Sequence, residues 1–204
     1  MLNVHFVLLG VACQLAGLFA YVRDTIRGTT SPNRVTWLMW GLVPMVAVAV
    51  EIHDGIGLQV LTTLVAGVGP LIVFAASFVD RKAIWKLGKL DWLCFLLSII
   101  GVVVWVLTRQ GNIALGASIG ADLLAGIPTI VKSWKAPESE TATGFLGSFA
   151  NAVFGLLTIH EISAANFAFP FYLAVITAFE LVMVAATPGP RWRRFRAQKN
   201  TALA

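Results

Sequence analysis

The stretch Ala121–Gly144, ADLLAGIPTIVKSWKAPESETATG, decides the fold. It opens as the inner half of an apolar helix, passes through a short basic loop and ends where another apolar block begins. A degenerate copy lies about 109 residues upstream. Leu15-Ala16-Gly17 stands there for Leu124-Ala125-Gly126. Arg23 to Ser31 runs parallel to Lys132 to Ser139, with one residue of slippage. Val35-Thr36-Trp37-Leu38 matches Thr143-Gly144-Phe145-Leu146. Such a duplication makes the loop and its flanking helices a repeated unit.

Outside this stretch the chain is overwhelmingly apolar. Of 204 residues, 58% are hydrophobic and 12% charged, and the mean hydropathy is +0.82. Soluble domains carry about 25% charged residues. An integral membrane protein is expected, all-α, with a single transmembrane domain over 1–188 and a basic tail over 189–204. A helix needs about 20 mostly apolar residues to cross the hydrocarbon core. Seven blocks approach this: 4–22, 35–50, 59–79, 90–108, 112–131, 144–159 and 168–187. They are continuous rather than alternating, which favours helices over a barrel. No Lys or Arg precedes the first block, so it reads as a retained helix rather than a secretory signal. Cys13 and Cys94 fall inside apolar blocks and suggest packing, not a disulfide framework or a zinc site.

Basic residues set the expected orientation. Arg23, Arg27, Arg34, Arg81, Lys82, Lys86, Lys89, Lys132, Lys135, Arg191, Arg193, Arg194, Arg196 and Lys199 fall on one side; only Arg109 falls on the other. This asymmetry of 14 to 1 puts the N-terminus outside and the C-terminus in the cytoplasm. A bacterial inner membrane is the expected location. The duplication then pairs a first three-helix repeat, 4–79, with a second, 112–187, through a linker helix at 90–108. An odd linker lets both copies enter the bilayer in the same sense. Parallel repeats of this kind place a substrate site between the halves.

Pro128-Thr129-Ile130-Val131-Lys132-Ser133-Trp134-Lys135, followed by Ser139 and Gly144, resembles the signature of the SWEET/PQ-loop superfamily of seven-helix carriers. The 3+1+3 layout is similar to that of SWEET sugar carriers, PQ-loop amino-acid exporters and vitamin carriers of the PnuC type. The second copy has Pro128-Thr129 in place of Pro-Gln, and the first has Phe19-Ala20. The resemblance implies transport of a small solute by alternating access, with a sugar, an amino acid or a vitamin or nucleoside as substrate. Cargo receptors that share the fold provide the alternative, a non-transporting receptor or scaffold; an ion channel is a weaker one.

Two acids stand inside apolar blocks, Asp122 and Glu180. Intramembrane carboxylates are costly and commonly serve ions, protons or substrate; both are candidates for proton coupling and substrate binding. The bland alternative is a hydrogen-bonded acid holding two helices together. In the first copy their counterparts are Cys13 and about Ile72. Gly144, Gly147, Ser148, Asn151, Gly155 and Thr158 share one helical face. Asp122, Ala125, Gly126, Thr129 and Ser133 share another. The glycines suit close helix packing, whereas the Asn151 amide is a candidate ligand-binding group. Gln14 is a similar candidate, and Trp40 offers a flat ring for stacking. Trp37 fits an interfacial aromatic belt. Pro44, Pro70 and Pro128 are candidate hinges.

Enzyme chemistry finds no foothold. There is no phosphate loop and no His-Glu-x-x-His. Gly116-Ala117-Ser118-Ile119-Gly120 spells a nucleophile elbow but lies in a continuous apolar block. No cofactor is expected. Glu51, His53, Asp54, His160 and Glu161 sit in loops without metal-ligand spacing, so no metal is expected either. Arg191-Trp192-Arg193-Arg194-Phe195-Arg196 suits anionic lipid headgroups rather than nucleic acid. The oligomeric state is left open.

Overall fold

The structure is a computed structural model and describes residues 2–53, 57–79, 86–108, 111–160 and 164–190. Among them it is all-helical. The helices are α1 (Val7–Ile26), α2 (Arg34–His53), α3 (Val60–Ala76), α4 (Lys89–Thr108), α5 (Gly111–Lys135), α6 (Ala142–Leu157) and α7 (Ala164–Ala185). Short 3-10 turns at Val4–Phe6 and Pro137–Ser139 precede α1 and α6. Each apolar block of the sequence holds one helix, with ends moved by a few residues. α5 runs to Lys135 rather than stopping at 131, because the Lys132 ammonium finds buried partners. The tail beyond 190, Asp54, Arg81, Lys82, Arg109 and Glu161 lie outside the described residues.

Local chemistry sets the helix ends. Gly28 terminates α1 with φ of 74°, a left-handed conformation in which a Cβ would be strained. Asn33 caps α2: its Oδ1 accepts from the amides of Val35 at 3.1 Å and Thr36 at 3.3 Å. Its Nδ2 donates to Asp91 at the start of α4. Arg34 donates to the Ser77 carbonyl at 2.6 Å and to its hydroxyl at 3.0 Å, holding the end of α3.

The helices pack as neighbours in a fixed pattern. α1 lies along α6, α2 along α3, α4 along α5 and α6 along α7. Smaller contacts join α1 to α3, α5 to α7 and α2 to α5. The α1–α6 seam is the tightest, with Gly17 against Gly147. A core of Tyr21, Trp37, Val73, Phe145 and Val184 fills the centre.

Burial recurs along the chain. Thr36, Trp37, Met39, Val43 and Pro44 are buried on α2; Gly144, Phe145, Gly147, Asn151 and Ala152, each 108 residues later, are buried on α6. Gln14, Gly17, Tyr21 and Thr25 stand in the same relation to Asp122, Ala125, Thr129 and Ser133. Gly67, Gly69, Val73 and Ser77 precede buried residues of α7 by 107. This corrects the expected register. Cys13 is exposed and Ile72 is 44% exposed, so neither occupies the place held by an acid later in the chain. By burial, Gln14 pairs with Asp122 at a spacing of 108 and Val73 with Glu180 at 107.

The distribution of polarity is inverted relative to a water-soluble bundle. Gln14, Asp122, Lys132, Asn151 and Glu180 are buried, while Phe19 is 71% and Leu107 77% exposed. Two helical segments, Val4–Ile26 and Phe167–Ala185, are long and apolar enough to cross a membrane. Only 28% and 22% of their most apolar windows are buried inside the protein, whereas a core helix of a soluble domain buries most of its surface.

Candidate functional site

Gln14, Trp40, Asp122, Asn151 and Glu180, the five binding candidates of the sequence, line one cavity. They come from five helices: α1, α2, α5, α6 and α7. Pro44 and Pro70 also line it, but Pro128 does not; it is buried in α5 beyond the wall. Trp37 is corrected from an interfacial position. It is 8% exposed, lines the cavity, and packs on Tyr21 with ring centroids 4.5 Å apart.

The cavity offers about 80 Å³ to water-sized molecules. That is room for several waters at roughly 10–15 Å³ each. Sites for drug-sized ligands measure roughly 300–1,000 Å³, so the helices must part before a solute of that size fits.

Two amides form a chain across the cavity. Gln14 Nε2 donates to the Val65 carbonyl at 3.4 Å. Asn151 Nδ2 donates to Gln14 Oε1 and, at 3.2 Å, to the Thr62 carbonyl. Asn151 Oδ1 is buried without a hydrogen bond, and so is Glu180 Oε1. Asp122 Oδ2 accepts from the Tyr172 hydroxyl at 2.8 Å. Trp40 Nε1 donates to the Asp122 carbonyl at 3.3 Å, which fixes the ring edge. Gly126 makes room for that ring: a Cβ there would sit 3.1 Å from Trp40 Cζ2.

At one end Tyr21 connects the cavity to a second cluster. It lines the wall, and its hydroxyl donates to Glu140 Oε2. Glu140 Oε1 pairs with Lys132 Nζ at 2.7 Å, with both side chains fully buried. Lys132 also donates to the carbonyls of Ser31 and, at 3.3 Å, Ser139. These three partners match the three donors of an ammonium. Lys132 is therefore not the exposed loop cation that the sequence suggested. The two loops are zipped together around it. The Ser31 amide donates to the Ser139 carbonyl at 3.0 Å. Thr30 and Thr141 hydroxyls meet at 2.5 Å, and Thr141 reaches Asp24 Oδ2 at 3.1 Å.

Sequence reasoning missed Tyr21, Glu140, Phe145 and Tyr172. Tyr172 had a faint signal, two turns before Glu180 on an otherwise apolar helix. Glu140 had none, because a loop acid next to lysines reads as solvated. Among the described residues no group of His, Cys, Asp and Glu is placed to hold a metal ion. His160 instead meets the Thr158 carbonyl at 2.9 Å through Nδ1. No family model, no curated protein and no solved structure matches this chain.

Proposed function

We propose that the chain is a small-solute carrier that works by alternating access. It crosses a membrane seven times as two parallel three-helix repeats joined by α4, in the manner of the SWEET/PQ-loop superfamily. Basic loops would face the cytoplasm of a bacterial inner membrane, with the N-terminus outside. The observation that carries the reading is the shared cavity: two acids and two amides from four helices of both halves converge on one hollow.

The helix neighbours support the repeat. α1–α3 and α2–α3 contacts have their parallels in α5–α7 and α6–α7, and α1–α6 has its parallel in α5–α2. The recurrence of buried positions at 108 residues supports it independently. The outward face of exposed leucines and phenylalanines suits lipid.

In this reading the loop zipper closes the cytoplasmic end, and Tyr21 is its floor toward the cavity. Asp122 and Glu180 bind substrate or carry protons that couple to it. Substrate uptake into proteoliposomes under a pH gradient tests this. Asp122→Asn and Glu180→Gln should each abolish the pH-driven component. Unchanged pH-driven uptake in both removes the coupling role, and a ligand that binds without exchanging across the membrane favours the receptor alternative.

A further inference from the structure

Among the described residues, the charged groups that line the cavity are all acids. Among the described residues no Lys, Arg or His lines it, and Lys132 is held by Glu140 and two carbonyls. The Asn151 amide has a fixed orientation. Its nitrogen faces Gln14 Oε1 and the Thr62 carbonyl, so a flipped amide would set oxygen against oxygen. Gln14 spends its own nitrogen on Val65. Both amides thus direct their donors at the protein, and Asn151 Oδ1 is turned toward Gly10 of α1, where a Cβ would lie 3.0 Å from it. Glu180 Oε1, on a cavity-lining residue 1% exposed, has no hydrogen bond and is left for a ligand. Among the described cavity-lining residues one buried donor, Trp37 Nε1, has no hydrogen bond; it can serve a single oxygen. The remaining wall is apolar and aromatic.

The geometry points to a solute that enters as an ammonium: a primary or secondary amine on an apolar or aromatic body, without a carboxylate. This rests on the carrier reading above, because it assigns the same cavity. The N–H groups of the ammonium satisfy Glu180 Oε1, since a buried acceptor without a donor is costly. Its charge answers the two acids. The body lies against Trp40, whose ring attracts a cation through its face. A carboxylate on the same solute would meet two acids and no base, which disfavours amino acids and anions. A neutral isostere gives up the charge pairing and one or more donors.

The test uses the purified full-length chain with three probes of one shape: 2-phenylethylamine, 2-phenylethanol and phenylalanine. Binding is followed by thermal shift and by tryptophan fluorescence. The amine should bind at least tenfold more tightly than either comparator, and Glu180→Gln should remove most of that preference. Equal binding of amine and alcohol, no binding of the amine, or an unchanged preference in Glu180→Gln overturns the assignment. If that variant does not fold, the comparison of the three probes on the native chain decides. Counterflow separates this from the carrier reading. An amine that binds but is not exchanged across liposomes leaves the solute class standing and removes the carrier; exchange of a neutral solute with no binding of the amine does the reverse.

Discussion

At the scale of single residues, two buried features dominate and the sequence distinguishes neither from its surroundings. Gly147 and Gly155 share one stripe, and spacing alone treats them alike. Their surroundings differ. A Cβ on Gly147 would lie 2.6 Å from the Cys13 carbonyl oxygen and 3.1 Å from Gln14 Cα, both backbone atoms that cannot swing aside. A Cβ on Gly155 would meet only Thr62 Cγ2 at 3.4 Å. Gly147→Ala should therefore push α1 from α6 and cost about 1–3 kcal/mol, read as a lowered thermal midpoint in detergent. Gly155→Ala should leave that midpoint within a degree or two of the parent, or raise it. The second feature is the Lys132–Glu140 pair. Removing one member strands a charge in a dry site, at about 3–5 kcal/mol. Lys132→Met should thus be more destabilising than Lys132→Met combined with Glu140→Gln, in which no charge is stranded. A double-mutant cycle by denaturant unfolding measures the difference; a purely additive result would mean that the two side chains do not depend on each other.

At the scale of elements, the existence of seven helices was legible because apolar blocks of membrane length leave little else to form. Their ends were not, because the residues that set them are polar and were read as loop. Asn33 is the clearest case. It lies just before the second apolar block, yet it bonds two amides of α2 and the Asp91 carboxylate of α4. Asn33→Ala removes a cap worth about 1–2 kcal/mol and leaves Asp91 with the Gly88 amide, 2.6 Å away, as its remaining hydrogen-bond partner among the described residues. Faster amide exchange at Val35 and Thr36, with the core of α6 unaffected, is the expected signature. Exchange that rises equally throughout the bundle would mean that the residue supports the whole fold instead. The spacing of the two stretches reads differently by letter and by burial for a related reason. Leu-Ala-Gly triplets align well by letter at 109, but burial aligns at 108, because a helix keeps the face of a residue and not its identity.

At the scale of the whole molecule, the cavity was readable and the zipper was not. An acid or amide inside an apolar block has few places to go except inward, and all five binding candidates went there. The loop cluster instead joins residues about a hundred positions apart, Ser31 with Lys132 and Thr30 with Thr141, and no local pattern announces such a pairing. Yet under the carrier reading proposed above that cluster is decisive. If the two halves rock about the cavity, the zipped loops must separate once in every cycle, breaking the Ser31–Ser139 bond and uncovering Lys132 and Glu140. Holding them together should stop transport while leaving the opposite face free to admit solute. In a Cys13→Ser, Cys94→Ser background, Ser31→Cys with Ser139→Cys can be joined by a short thiol-to-thiol cross-linker. Cross-linked protein in proteoliposomes should lose at least nine-tenths of its uptake, recover it once a cleavable linker is cut, and still bind solute. Each single cysteine variant should transport normally after the same treatment. Full uptake through cross-linked loops would mean that this end of the bundle never opens, and a path through the protein would then have to run elsewhere.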